Sequence, residues 1–206
     1  MSNFILIHIG KCAGSTVRKE LIEKNINFTF LHTCQVPFFP NPNIKYIIVI
    51  RNPVERFISA YFWRYYLVCI KKEQENRFQG EKQFLDKYNT LEKLVDQIKA
   101  DPLVFENTYV HHIREDINFY LEHLIDVCPS EKIKGVILQE TLLKDMKLLF
   151  NIDISTHENK NSDNKQPVTA EMRTILKSHL KKDYLIIEKM FSKGWINKEQ
   201  YDILSV

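Results

Sequence analysis

Apolar residues follow two rhythms along this chain. Unbroken β-rich runs of four to six residues occur at Phe4 to Ile9, Tyr46 to Ile50 and Lys134 to Leu138, with a weaker run at Phe28 to Leu31. The first three show no polar alternation, as expected of parallel strands covered on both faces. Segments of helical period lie between and after them, at Ser15 to Lys24, Pro53 to Ile70, Thr90 to Lys99, Glu115 to Val127 and Glu140 to Phe150. Strand and helix alternate in the first half, which predicts an α/β fold of three layers: a central, mainly parallel sheet flanked by helices, with ligand sites at the carboxyl ends of its strands. The middle of the chain, residues 71 to 130, is predicted to be mostly helical. Ser155 to Gln166 holds no apolar residue and reads as a loop. Beyond it Thr169 is placed to cap a helix, and Met172, Ile175, Leu176, Leu180, Leu185 and Ile186 predict helices returning to the core.

The first strand runs into a turn, Gly10-Lys11-Cys12-Ala13-Gly14, and then into a helix at Ser15-Thr16. Unpaired amides and the helix dipole converge there, which makes a cradle for a phosphate-like anion. Lys11 follows the first glycine directly and stands well ahead of Ser15-Thr16. The nucleotide-binding pattern GxxxxGK[ST] is therefore not present. A second stretch, IRNPVERFISAY at residues 50 to 61, ends a strand with Arg51, puts Asn52 at an N-cap and Pro53 at the first helical position, and sets Arg56 and Ser59 three residues apart on one helix face. Arg51 at a strand's carboxyl edge suits a second phosphate, with Ser59 donating a hydroxyl. Pairing of Arg51 and Arg56 with carboxylates such as Glu55 or Glu115 is the structural alternative.

Composition narrows the classes. At 206 residues the chain suits a single domain, residues 1 to 206, and its formal net charge of +3 is too small for a nucleic-acid surface. The basic cluster Lys177 to Lys182 reads as a solvated helix face. No apolar stretch approaches the roughly 20 residues that span a bilayer. Four scattered cysteines without a CxxC pair and a start without a secretory pattern predict reduced thiols and a cytoplasmic setting. The histidines show no metal spacing such as HExxH.

Taken together, HIGKCAGST at residues 8 to 16 resembles the 5′-phosphosulfate-binding turn of sulfotransferases that use 3′-phosphoadenosine 5′-phosphosulfate (PAPS), written H-I-P-K-T-G-G-T-S. RNPVERFISAY resembles their 3′-phosphate motif R-D-P-x-x-R-x-x-S-x-Y. The likeness extends as an element pattern over most of the chain and is closest to the carbohydrate-modifying members, including HENKNS at residues 157 to 162. Gly10 replaces proline, Cys12 threonine, Ala13 glycine and Asn52 aspartate. The resemblance implies a P-loop-like fold and sulfuryl transfer to a hydroxyl acceptor, a glycan or related molecule, without a metal. It implies that Lys11 contacts the bridging oxygen or leaving phosphate, that Cys12, Ala13, Gly14, Ser15 and Thr16 line the 5′ site, and that Arg51 and Ser59 hold the 3′-phosphate.

An acceptor hydroxyl needs a base active near neutral pH, and histidine is the commonest. His32, at the end of the second strand, matches the position of the catalytic histidine by that resemblance. His111 and His112 follow as candidates, also as acceptor-binding residues, with Glu55, Glu106 and Glu115 behind them. His8 reads as structural, and His123 and His179 as solvated. The aromatic run Tyr61, Phe62, Trp63, Tyr65 and Tyr66 is expected to be mostly core. An atypical nucleotide kinase and a non-catalytic nucleotide-binding adaptor are the competing classes.

Overall fold

A computed structural model describes residues 4–32, 34–39, 41, 43–154 and 167–206. The polar run at 155–166, with HENKNS inside it, lies outside the described residues. In chain order the elements are β1 (Ile5–His8), α1 (Gly14–Glu23), β2 (Thr29–His32), β3 (Tyr46–Ile50), α2 (Pro53–Tyr65), α3 (Glu81–Lys87), α4 (Leu91–Ala100), α5 (Ile117–Val127), β4 (Ile133–Leu138), α6 (Leu142–Phe150), α7 (Ala170–His179), α8 (Lys181–Ser192) and α9 (Lys198–Ser205). They form two compact units: Met1–Asn52 with Ile117–Lys160 and Lys182–Val206, and Pro53–Asp116 with Asn161–Lys181.

The first unit holds the sheet, whose order is β2-β1-β3-β4 with every pairing parallel. β1 and β3 are buried throughout, which is why their sequences carry no polar alternation. β2 is an edge strand and half-exposed, which accounts for its weaker signal. Val17 and Leu21 of α1, Leu121 and Leu124 of α5, Met146 of α6, Ile187 and Met190 of α8 and Leu204 of α9 pack with the strands in one core. Leu185, expected in that core, is 46% exposed. The neighbouring Ile186 and Ile187 take the buried face of α8 instead. The chain leaves β1 for β2 on one side and returns to β3 on the other. The connection therefore changes direction at β1/β3, the place where open parallel sheets form a crevice beyond their carboxyl ends.

The second unit is helical. The helix expected over Pro53 to Ile70 runs to Tyr65 and then widens into a π-helical turn, Tyr66–Ile70, where the Lys71 N–H donates to the Tyr66 carbonyl at 2.8 Å. Of the aromatic run only Tyr61 is buried, and its hydroxyl donates to the Tyr88 carbonyl at 2.9 Å. Phe62, Trp63, Tyr65 and Tyr66 stay half-buried, a smaller share in the core than the sequence suggested. Arg64 and Glu81, each about 1% exposed, form a two-pronged ion pair at 2.9 and 2.6 Å. Thr169 caps α7 by accepting from the Met172 N–H at 3.1 Å, as its position predicted. Lys177, Lys181 and Lys182 are exposed, a solvated face. His179, expected in solvent, is half-buried against Phe57 and Phe105, and burial lowers its pKa. Helices α3 and α9 were not expected as separate elements, although the Asn197 to Gln200 spacing at the start of α9 is that of a capping box. Among the described residues no helix is long and apolar enough to cross a membrane.

Asn52 ties the end of β3 to the carboxyl terminus. Its side-chain amide donates to the carbonyls of Leu204 and Val206, both at 3.1 Å, and its own N–H donates to Glu140 Oε1 at 3.0 Å. An aspartate here has no hydrogen to donate, so a buried carboxylate would face two carbonyls. Asn52→Asp is therefore expected to lower stability by about 3 kcal/mol, read as a reduced urea midpoint at pH 7.

Candidate functional site

Parallel register brings the predicted residues of the first unit to one edge of the sheet. His8 stands level with His32 on β2 and with Val49 on β3. Gly10 and Arg51 each lie two residues beyond that row, so the Lys11 turn, His32 and Arg51 all sit at the carboxyl ends of adjacent strands. Arg51 is half-exposed immediately after β3. Ser59, the other expected 3′-phosphate contact, belongs to the second unit and is half-buried in the second turn of α2.

The turn itself is tightly wound. Lys11 and Ala13 both adopt left-handed backbone, with φ of 71° and 65°. Cys12 is fully buried, its Sγ against the Gly10 carbonyl at 3.8 Å. Thr16 is buried and Ser15 exposed. Helix α1 starts at Gly14 with Ala13 as its N-cap, a residue with no side chain able to accept a hydrogen bond. Thr90, Thr169 and Asn197 cap α4, α7 and α9 with their own oxygens. The first-turn amides of α1 lack that internal acceptor, which suits them to an external anion. No acidic residue lies in that first turn.

Two histidines line this edge. The rings of His8 and His32 stack at 4.2 Å with planes 13° apart. His32 Nδ1 lies 2.8 Å from the His8 carbonyl oxygen, and a carbonyl only accepts, so Nδ1 carries the proton. The neutral ring then holds its lone pair on Nε2, the atom a general base needs. His8 was read from the sequence as structural, yet it shapes the site. A Cβ on Gly14 would fall 2.0 Å from its Cδ2, so only glycine fits beneath the ring. Burial lowers the His8 pKa to about 3, and His32, Lys11 and Arg18 push it the same way. Lys11 and Arg18, two of the groups acting on His8, bring positive charge to this edge.

His111 and His112 lie in the second unit, in the turns before α5, and both are buried. Glu115 Oε2 stands 2.9 Å from His111 Nδ1 and accepts from the His112 N–H at 3.3 Å, and the Tyr109 hydroxyl donates to Glu115 Oε1. Burial works to raise the Glu115 carboxyl, but the hydrogen bonds from His111 and Tyr109 outweigh it and hold the pKa below its usual range. Arg56 is fully buried and donates from Nη2 to the His112 carbonyl at 2.7 Å and to the Glu115 carbonyl. It binds backbone, and not the Glu115 carboxylate that the sequence offered as its partner. Glu55 pairs with Arg173 at 2.6 Å. The i, i+4 spacing of His111 and Glu115 was readable in the sequence, whereas the approach of Arg56 and Tyr109 was not.

No family model, curated protein or solved structure matches the chain in comparisons with known proteins.

Two stability measurements follow from this geometry. The unfolded chain protonates His8 as the pH falls through 6.5, whereas the folded chain holds it neutral down to about 3. Its contribution is present at neutral pH and is lost progressively across that window, with a slope of at most about 1.4 kcal/mol per pH unit. Urea unfolding from pH 7 to pH 4 is expected to show this loss, and His8→Gln to be less stable at pH 7 with a shallower slope. The left-handed backbone of Ala13 favours glycine, so Ala13→Gly is expected to raise stability by about 1 kcal/mol.

Proposed function

We propose that this chain transfers a sulfuryl group from PAPS to the hydroxyl of a carbohydrate or related acceptor. The observation that carries the reading is the meeting of the uncapped start of α1, Lys11 and Arg51 at the β1/β3 switch point, with Arg18 also near enough to act on His8. A dianionic ligand fits such an edge. The two motifs that resemble those of PAPS-dependent sulfotransferases fall at these positions.

When bound, PAPS supplies an activated sulfuryl group on a phosphate leaving group. The first-turn amides of α1 and the Lys11 ammonium offset negative charge that grows on the leaving oxygen, the role that preorganised donors play in group transfer. Arg51 holds the 3′-phosphate. His32 takes the acceptor's hydroxyl proton at Nε2, while its Nδ1–H stays on the His8 carbonyl and fixes the ring.

Calorimetry separates this reading from its competitors. 3′-Phosphoadenosine 5′-phosphate is expected to bind more tightly than adenosine 5′-phosphate, and Arg51→Ala to erase most of that difference, about 2 kcal/mol. Equal binding of the two nucleotides would sink the reading, and magnesium-dependent ATP turnover would point to a kinase. In a transfer assay with a glycan acceptor, Lys11→Ala is expected to lose activity on the order of a thousandfold. His32→Ala is expected to lower turnover by about a hundredfold or more with nucleotide affinity unchanged. Binding without transfer by the wild type would favour a sensor.

A further inference from the structure

The stretch from Asp101 to Asp116 contains no helix or strand, yet it carries three of the buried polar side chains of the second unit. His111, His112 and Glu115 are 6%, 8% and 7% exposed, and a ligand atom from each lies within 4.8 Å of the other two. From this geometry we infer that His111, His112 and Glu115 bind one divalent cation of the zinc class, with the Tyr109 hydroxyl beside the fourth position.

The spacing suits such an ion. A tetrahedral zinc about 2.0–2.1 Å from each nitrogen and oxygen donor sets its ligands roughly 3.3 Å apart. Glu115 Oε2 stands 2.9 Å from His111 Nδ1 and 3.7 Å from His112 Nδ1, on either side of that value. Two imidazoles and one carboxylate form a borderline ligand set that favours zinc over calcium or magnesium, which prefer oxygen. The Tyr109 hydroxyl is 3.2 Å from His111 Nδ1, and this residue is 37% exposed, which gives the buried trio a route to solvent.

The surroundings hold the three residues in place, as outer groups do around metal ligands. The His111 N–H donates to Glu81 Oε1 at 2.9 Å, and Glu81 is fixed by Arg64. Arg56 grips the carbonyls of His112 and Glu115. The two imidazole rings lie 3.9 Å apart, and His112 holds left-handed backbone at φ 63°. Non-glycine residues in that region carry strain that tends to mark functional sites. In sequence the pattern is His-His-x-x-Glu, which a search for HExxH passes over. The inference rests on the geometry of His111, His112 and Glu115 and draws on none of the residues proposed to hold the nucleotide.

The test uses the full chain, stripped with a chelator, dialysed and titrated with Co²⁺ as a visible probe. The expected result is saturation at one equivalent with the strong absorption of four-coordinate cobalt, displaced by Zn²⁺, and a Tm that rises with Zn²⁺. His112→Gly removes a ligand at a position whose left-handed backbone suits glycine, which offsets part of the packing lost with the buried ring, and the Tm of the metal-free variant is read to show that it folds. That variant and Glu115→Gln are expected to bind at least about a hundredfold more weakly. Absence of a one-equivalent cobalt spectrum from the wild type would overturn the inference. So would a His112→Gly variant, folded by its Tm, that binds cobalt as the wild type does.

Discussion

The parallel pairing of β1 on both of its edges is the constraint on which the first unit depends. A strand hydrogen-bonded on two sides and covered on two faces has no freedom of register, since a one-residue slip would turn His8 into the position of a core isoleucine. That fixed register sets the Lys11 turn, His32 and Arg51 at one edge, although they are widely separated in sequence. The winding order reverses beside β1, with β2 on one side and β3 on the other, which is where open parallel sheets form a crevice.

The edge is arranged at some expense to stability. Two non-glycine residues, Lys11 and Ala13, hold left-handed backbone within three positions, and α1 begins without a capping side chain. His8 is buried without its charge among cationic neighbours. Such departures from local preference are expected where a ligand supplies the missing interactions, and they coincide here with the motif positions. Helices α4, α7 and α9 start on capping side chains, with Asn197 and Gln200 forming a reciprocal capping box at α9, whereas α3 and α6 start without one as α1 does.

The second unit shows a different way of keeping polar groups inside a helical core. Arg64 meets Glu81 through two parallel hydrogen bonds, and Glu81 also accepts from the backbone of His111. Arg56 satisfies carbonyls of a segment that has no regular structure of its own. Turns and loops leave backbone groups unpaired, and a buried guanidinium with several donors is suited to bind them. The His111, His112 and Glu115 group is held by these same contacts.

The sequence by itself determined the strands, most helices and the two motif turns. Their signals are local: unbroken apolar runs, helical period, Thr169 before a helix, and glycine beside lysine after a strand. It missed α3 and α9, two short helices, although Asn197 and Gln200 carry the capping-box spacing at the start of α9, and it ran α2 past the widening at Tyr66. It also read Asn52 as only a helix cap, because the carboxyl-terminal carbonyls that its amide reaches are more than 150 residues away in the chain. Only the tertiary structure decided the roles of His8 and Arg56. The Gly14 backbone, the His32 ring and the carbonyls of His112 and Glu115 reach them through folding, and sequence spacing carries no record of contacts made across that distance.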